Sequence, residues 1–290
     1  MIAWSYHRNV TRSVPPVVTR RNWMASALAA LAARRLQAAK SHIAKGRVAA
    51  ITDELGINPA DAVMAAKQLG LQWVDLRNVP GTSREIASLA EPELRRYAAE
   101  LAVNKLKVSV LHAGLRIDVA QSINAARILG AGGVRILTGA RAADPAKELP
   151  AVARMLGDLV PMAEMAKVRL SIANQATQNV GTSAEAKAIL DLLPSKWIGL
   201  DWTPREAAML GEAPWPDGYA QLPKGRILHA TVRPDDLSNG PSFINWRLIL
   251  EAMQRDGYAG EIGFETGSAG GAFQKIDEPM RDLLHIVGEL

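Results

Sequence analysis

From Arg47 onward, eight short runs of β-branched and apolar residues alternate with longer Ala- and Leu-rich stretches: Arg47 to Thr52, Trp73 to Arg77, Val108 to His112, Val134 to Thr138, Val168 to Ala173, Trp197 to Trp202, Arg226 to Val232 and Glu261 to Glu265. Short apolar runs between helical stretches are the pattern of parallel strands covered on both faces by crossover helices. The helix punctuation agrees. Asn58-Pro59-Ala60-Asp61 offers an N-cap with Pro at the first helical position, and Gly70 marks the stop. Thr182-Ser183 precedes a helix expected over Ala184 to Leu193 with Pro194 after it, and Asn239-Gly240-Pro241 opens one expected over Ser242 to Arg255. Eight strand-helix units in roughly 250 residues define the size of one (β/α)8 barrel, an α/β fold. A doubly wound sheet would use fewer strands and place a Gly-rich phosphate turn after the first, and no such turn occurs. Met64, Met155, Met162, Met165, Met209 and Met253 fall inside the helical stretches and are expected in the core.

The charge is unevenly placed. Nine of the 34 basic residues lie in the first 50 positions, which contain no acid, so the remaining 240 residues carry 25 basic against 29 acidic groups. The overall excess of +5 therefore belongs to one end, and the mildly acidic body has no electrostatic claim on nucleic acid. Residues 1–44 read as a leader and 45–290 as a single barrel domain. Thr19-Arg20-Arg21-Asn22-Trp23-Met24 followed by the apolar run Ala25 to Ala33 resembles a twin-arginine export signal, which implies a periplasmic protein. Arg34-Arg35 directly after the run, and the lack of a clean Ala-x-Ala cleavage site, fit instead an amphipathic helix packed on the barrel of a cytoplasmic protein. The run is too short to span a bilayer, so no membrane span is expected. With 48% apolar residues and no Cys, the chain is neither disordered nor a disulfide scaffold, and thiol or cysteine-zinc chemistry is excluded.

In such a barrel the reacting groups stand at the C-terminal ends of the strands. Polar residues occur at nearly every such end: Asp53 and Glu54, Asp75 and Arg77, His112, Arg135, Asn174 and Gln175, Asp201 and Thr203, His229, Thr231 and Arg233, and Glu265. Alternation along a strand puts Gln175 with Ala173, Asp201 with Thr203, His229 with Thr231, and Glu265 with Gly263. Glu54 and Glu265 are the carboxylates placed to reach a ligand hydroxyl or else to pair with an arginine, and His229 is either a general base or substrate hydrogen-bond donor or a buried, satisfied histidine. Arg77, Arg135 and Arg233 form either a cationic rim for a carboxylate or phosphate or bridges between neighbouring strands. Trp215, in the loop after strand six, is placed to stack on a sugar ring, whereas Trp202 is expected between barrel and helices. The segment Gly267-Ser268-Ala269-Gly270-Gly271 is either a phosphate-binding turn or a mobile loop.

Five segments together carry a resemblance. They are Gly70 to Arg77, Leu170 to Gln175, Gly199 to Pro204, Arg226 to Arg233 and Gly257 to Glu265, which look like successive strands of the sugar phosphate isomerase/epimerase family, the xylose-isomerase-like TIM barrels. The resemblance implies a divalent metal held by a Glu, an Asp, a His and a Glu on strands five to eight, with the two Glu as acid and base beside a carbonyl. Those positions fall here on Ala173, Thr203, Thr231 and Glu265. One carboxylate, two hydroxyls and a methyl cannot compensate the dehydration of Mg²⁺ or Mn²⁺, so neither the metal nor another cofactor is expected. Gln175, Asp201 and His229 each sit two residues from a replaced ligand, nearly 7 Å along a strand, and are not expected to converge on one ion. A metal-dependent abasic-site nuclease is excluded with the metal cluster. The expectation is proton transfer on a sugar or sugar-derived carbonyl compound, with Glu265 and His229 catalytic and Glu54, Arg77, His112, Arg135, Gln175, Asp201, Trp215 and Arg233 binding a small sugar-like ligand. The alternative is a catalytically inactive barrel that binds a carbohydrate or a protein partner.

Overall fold

All eight expected strands form and close on themselves. In the computed structural model, which describes residues 43–114, 118–238, 244–267 and 273–290, the strands are β1 (Val48–Ile51), β2 (Trp73–Leu76), β3 (Lys107–His112), β4 (Gly133–Ile136), β5 (Arg169–Ala173), β6 (Ile198–Trp202), β7 (Ile227–Val232) and β8 (Glu261–Phe264). Each pairs in parallel with the next, and β8 returns to β1. Helices follow every strand: α1 (Pro59–Gln68), α2 (Glu91–Val103), α3 (Val119–Leu129), α4 (Pro145–Ala166), α5 (Ser183–Leu192), α6 (Pro204–Met209), α7 (Trp246–Arg255) and α8 (Phe273–Gly288). Among the described residues no helix is long and apolar enough to cross a membrane. The leader with its paired arginines, up to residue 42, lies outside the described residues.

Local chemistry sets the helix ends. The Asn58 side chain accepts from the Asp61 amide at 2.9 Å to cap α1, and Gly70 adopts φ +70 just beyond its end, a conformation that costs a Cβ-bearing residue. Thr182 and Glu185 cap α5 reciprocally, Glu185 N donating to Thr182 Oγ1 and Thr182 N to Glu185 Oε2. The helix expected from Ser242 starts later. Residues 239–243 lie outside the described residues, but Ile244 and Asn245 are non-helical, and Asn245 caps α7 by accepting from Leu248 N at 3.2 Å. Ile244 is held outside the helix because its amide donates to Asp236 O.

The methionine expectation is corrected. Met253 is buried, but Met64, Met155, Met162, Met165 and Met209 are exposed. A barrel helix buries one stripe, and in α4 that stripe is Leu149, Val152, Ala153, Leu156 and Ala163, which leaves the three methionines of this helix on the outer face. Trp202 does sit between barrel and helices, fully buried, with Tyr219 and Trp246 at ring-centroid distances of 5.4 and 6.4 Å.

Candidate active site

The C-terminal ends of β2 to β5 and β8 surround a cavity of about 270 Å³ lined by Arg77, Asn78, Glu85, His112, Arg135, Leu137, Gln175, Glu265 and the Ala113-Gly114 backbone. It is sized for a small molecule rather than a polymer. Glu265, immediately after β8, forms one wall: Oε1 lies 3.5 Å from Arg77 Nη1 and Oε2 lies 3.2 Å from Arg135 Nη1, with Arg233 Nη2 at 3.9 Å. Burial would raise the Glu265 pKa, but Arg135, His112, Arg233 and Arg77 together outweigh it and hold the carboxyl at about 2. Strand register puts His112 beside Arg135, and His112 Nδ1 is 3.3 Å from Arg135 Nη1. Burial, helped by the Arg135 charge, lowers His112 to about 4, so its ring is neutral at physiological pH.

The arginines bridge strands rather than stand free. Arg77 donates to Asp53 and Glu54, both at 3.0 Å, besides facing Glu265. Arg135 Nε lies 2.8 Å from Asp201 Oδ2, off the direction of a hydrogen bond, and Arg233 pairs with Glu206 at 3.0 Å. Glu54 is buried outside the cavity lining: Oε2 accepts from the Thr266 amide at 2.7 Å and the Thr266 hydroxyl at 2.9 Å, and Oε1 from the Gly267 amide at 3.1 Å. It thus ties the end of β1 to the start of the Gly-rich segment, whose residues 268–271 lie outside the described residues. Burial raises the Glu54 pKa against these hydrogen bonds and Arg77.

Deeper in the barrel, His229 is clamped between two aspartates. Its Nδ1 is 3.1 Å from Asp201 Oδ1 and its Nε2 is 3.5 Å from Asp75 Oδ2, while Thr231 Oγ1 donates to Asp201 Oδ1 at 2.9 Å. Gly263 makes room: a Cβ there would sit 2.3 Å from His229 Cε1 and 2.8 Å from Asp75 Oδ2. Burial alone would lower the His229 pKa, but Asp201 and Asp75 outweigh it and push it up to about 10. Asp201 is correspondingly held below the usual carboxylate range: burial works against this, and His229 and Arg135 prevail. At neutral pH His229 is therefore an imidazolium without a lone pair to accept a proton.

The charged groups that could ligate a divalent ion are engaged with protein partners. Both Asp201 oxygens and both Glu265 oxygens already face cationic groups or hydroxyl donors, and Ala173, Thr203 and Thr231 bring no charge. Among the described residues no group of three or more His, Asp or Glu side chains is disposed to hold a metal ion. Asp201 and His229 do meet, but on each other.

Of the residues proposed from sequence, Arg77, His112, Arg135, Gln175 and Glu265 share the cavity, whereas Glu54, Asp201 and His229 are buried in ion pairs or hydrogen bonds outside its lining and the half-buried Arg233 pairs with Glu206. Trp215 is not on the cavity wall; it packs on Tyr219 at 5.5 Å between ring centroids. Glu85 was not anticipated. It lies nine residues past β2, in a loop where no strand-end rule applies, and only the turn back across the mouth brings it to the cavity.

A closed parallel barrel with a charged cavity at the C-terminal ends of its strands is the enzyme-bearing face of this architecture. The family model described as xylose isomerase-like TIM barrel matches residues 63–285, and the chain belongs to that family. Among solved structures, D-psicose 3-epimerase in the presence of D-fructose is similar at TM-score 0.66 and 12% identity over 83% of this chain and 99% of that one. A 3-keto-D-glucoside 4-epimerase from E. coli is similar at 0.61 and 13%, over 83% and 98%. A probable 3-DHS dehydratase from Bacillus anthracis is similar at 0.63 and 14%, over 82% and 98%. No curated protein matches the sequence. At these identities the structural likeness establishes the fold.

Proposed function

We propose that the chain binds a sugar or sugar-derived carbonyl compound in the barrel-mouth cavity and moves a proton at the carbon beside the carbonyl, without a divalent metal. The observation that supports this is the placement of Glu265, an ionised carboxylate on the cavity wall between the guanidinium groups of Arg77 and Arg135. Glu265 takes the proton from carbon, and the C–H electron pair forms an enediolate whose oxygen charge faces the two arginines. The protonated Glu265 then returns the proton to the neighbouring carbon while the hydroxyl proton of the enediolate passes to its other oxygen, which completes an isomerisation, or to a hydroxyl whose C–O bond breaks as the carbonyl re-forms, which completes a dehydration with release of water. One carboxylate suits these reactions better than a two-sided epimerisation, since Ala173 stands where the family carries its other Glu. A binding-only barrel is the second reading, and the Glu265 pKa near 2 favours it, because so weak a base gains little from proton transfer.

The test is deuterium incorporation from D2O into D-fructose, D-tagatose and D-xylulose in the presence of EDTA. We expect exchange by the wild type that is at least about 100-fold slower in Glu265→Gln. Exchange abolished by EDTA and restored by Mn²⁺ would refute metal independence. Ketose binding without exchange would identify the binding-only barrel. Export through the twin-arginine route is also proposed, on the Thr19 to Met24 motif and the apolar run after it. Replacement of Arg20 and Arg21 by Lys is expected to retain the protein in the cytoplasmic fraction, and unchanged fractionation would count against export.

A further inference from the structure

Glu85 differs from the other acids around the cavity. Asp53, Glu54, Asp75, Asp201, Glu206 and Glu265 are each hydrogen-bonded or ion-paired, whereas among the described residues the Glu85 side chain has neither, and its Oε2 is buried with no partner. A buried carboxylate oxygen left unpaired costs stability, which selects against it unless something else gains. The backbone that carries it is held in place. An isolated bridge joins Asn78 to Glu85, Ile86 N donates to Arg77 O at 2.9 Å, and Ser88 donates to Glu85 O from both its amide and its hydroxyl. Gly114 leaves the space it occupies: a Cβ there would lie 1.9 Å from Oε2.

The charge around it points to a ligand class. Arg77 already faces three carboxylates and Arg135 two, so among the described residues the charges of these cavity arginines are matched before Glu85 adds a further negative one. An added phosphate or carboxylate would meet Glu85 and Glu265 with no cation at the cavity, among the described residues, that is not already ion-paired, while a neutral hydroxyl would satisfy the open acceptor.

We propose that Glu85 is a specificity-determining carboxylate of this cavity, accepting a hydrogen bond from a hydroxyl of a neutral polyhydroxylated ligand and rejecting phosphorylated or acidic analogues. It rests on the cavity being the ligand site proposed above but not on turnover, so binding tests it while deuterium exchange tests the chemistry. The assay is calorimetric titration of D-fructose, D-tagatose and D-xylulose, with D-fructose 6-phosphate and D-gluconate as anionic counterparts, on wild type, Glu85→Gln and Gly114→Ala. At least one neutral ketose should bind the wild type more tightly than either anion. Glu85→Gln should weaken that ketose about tenfold to a hundredfold and improve the anions. Gly114→Ala, which displaces the carboxylate without removing its charge, should weaken the ketose as well. Unliganded Glu85→Gln should melt no lower than wild type, because no internal partner is lost. The proposal is overturned by unchanged ketose affinity in Glu85→Gln, by preference of the wild type for an anion, or by no binding of any neutral ketose. A melting temperature lowered as far as in Glu265→Gln would also overturn it, since Glu85 would then be structural.

Discussion

The His229 clamp makes a pH prediction with a definite sign. The unfolded imidazole titrates near 6.5, and in the barrel Asp201 and Asp75 overcome the cost of burial and raise it to about 10. A raised cationic pKa stabilises fully below the unfolded value and loses that contribution as pH rises through the folded one. Between pH 6.5 and 10 each unit therefore removes up to about 1.4 kcal/mol, several kcal/mol across the window and a large share of the stability of an ordinary domain. The assay is urea unfolding at intervals from pH 6 to 10 for wild type and His229→Gln. The glutamine keeps hydrogen-bonding capacity but carries no titratable charge. The wild type should lose stability steadily above pH 7, and the difference between the two curves should shrink as pH rises. A difference independent of pH, or an imidazole signal in NMR that titrates near 6.5 in the folded protein, would refute the clamp.

Other expectations follow from the same network. Arg135→Met leaves the buried Asp201 and Glu265 without their shared cation and should cost about 3–5 kcal/mol; adding Glu265→Gln should recover part of it, and strictly additive losses in a double-mutant cycle would show that the two do not interact. Stability should also fall in acid as Glu265, held near 2, is forced to protonate, with the loss beginning near the ordinary carboxylate value and ending near the folded one; in Arg135→Met it should be complete at higher pH. Gly263→Ala puts a methyl against His229 and Asp75 and should cost about 1–3 kcal/mol or more by thermal unfolding. Trp215→Phe should leave ketose affinity within about twofold, because the indole packs on Tyr219 away from the cavity wall; a larger loss would return Trp215 to the site.

The strands, their number and their parallel pairing were legible in the chain because each depends on local pattern: short β-branched runs, helical spacing between them, and caps such as Asn58 and Thr182. So was the alternation that puts Asp201, His229 and Thr231 toward the lumen. Which face of each helix is buried was less legible, and the exposed methionines of α4 show why: residence in a helix does not specify orientation, which depends on where the neighbouring elements lie. Strand-end position likewise nominated Arg77, Arg135 and Glu265, but it did not show whether the arginines face a ligand or one another's carboxylates.

Only the closed barrel decided those partners. A pKa depends on charges within a few ångströms, and Asp75, Asp201 and His229 come from β2, β6 and β7; strand pairing sets Asp201 beside His229, and closure of the barrel brings Asp75 to them. The same closure turned His229 from a candidate base into a paired cation, filled the space between Asp201 and Glu265 with Arg135, and brought Glu85 from an unremarkable loop to the cavity. The sequence by itself determined the architecture, because propensity and periodicity act over neighbouring residues. Tertiary structure decided the chemistry, because electrostatic pairing acts through space.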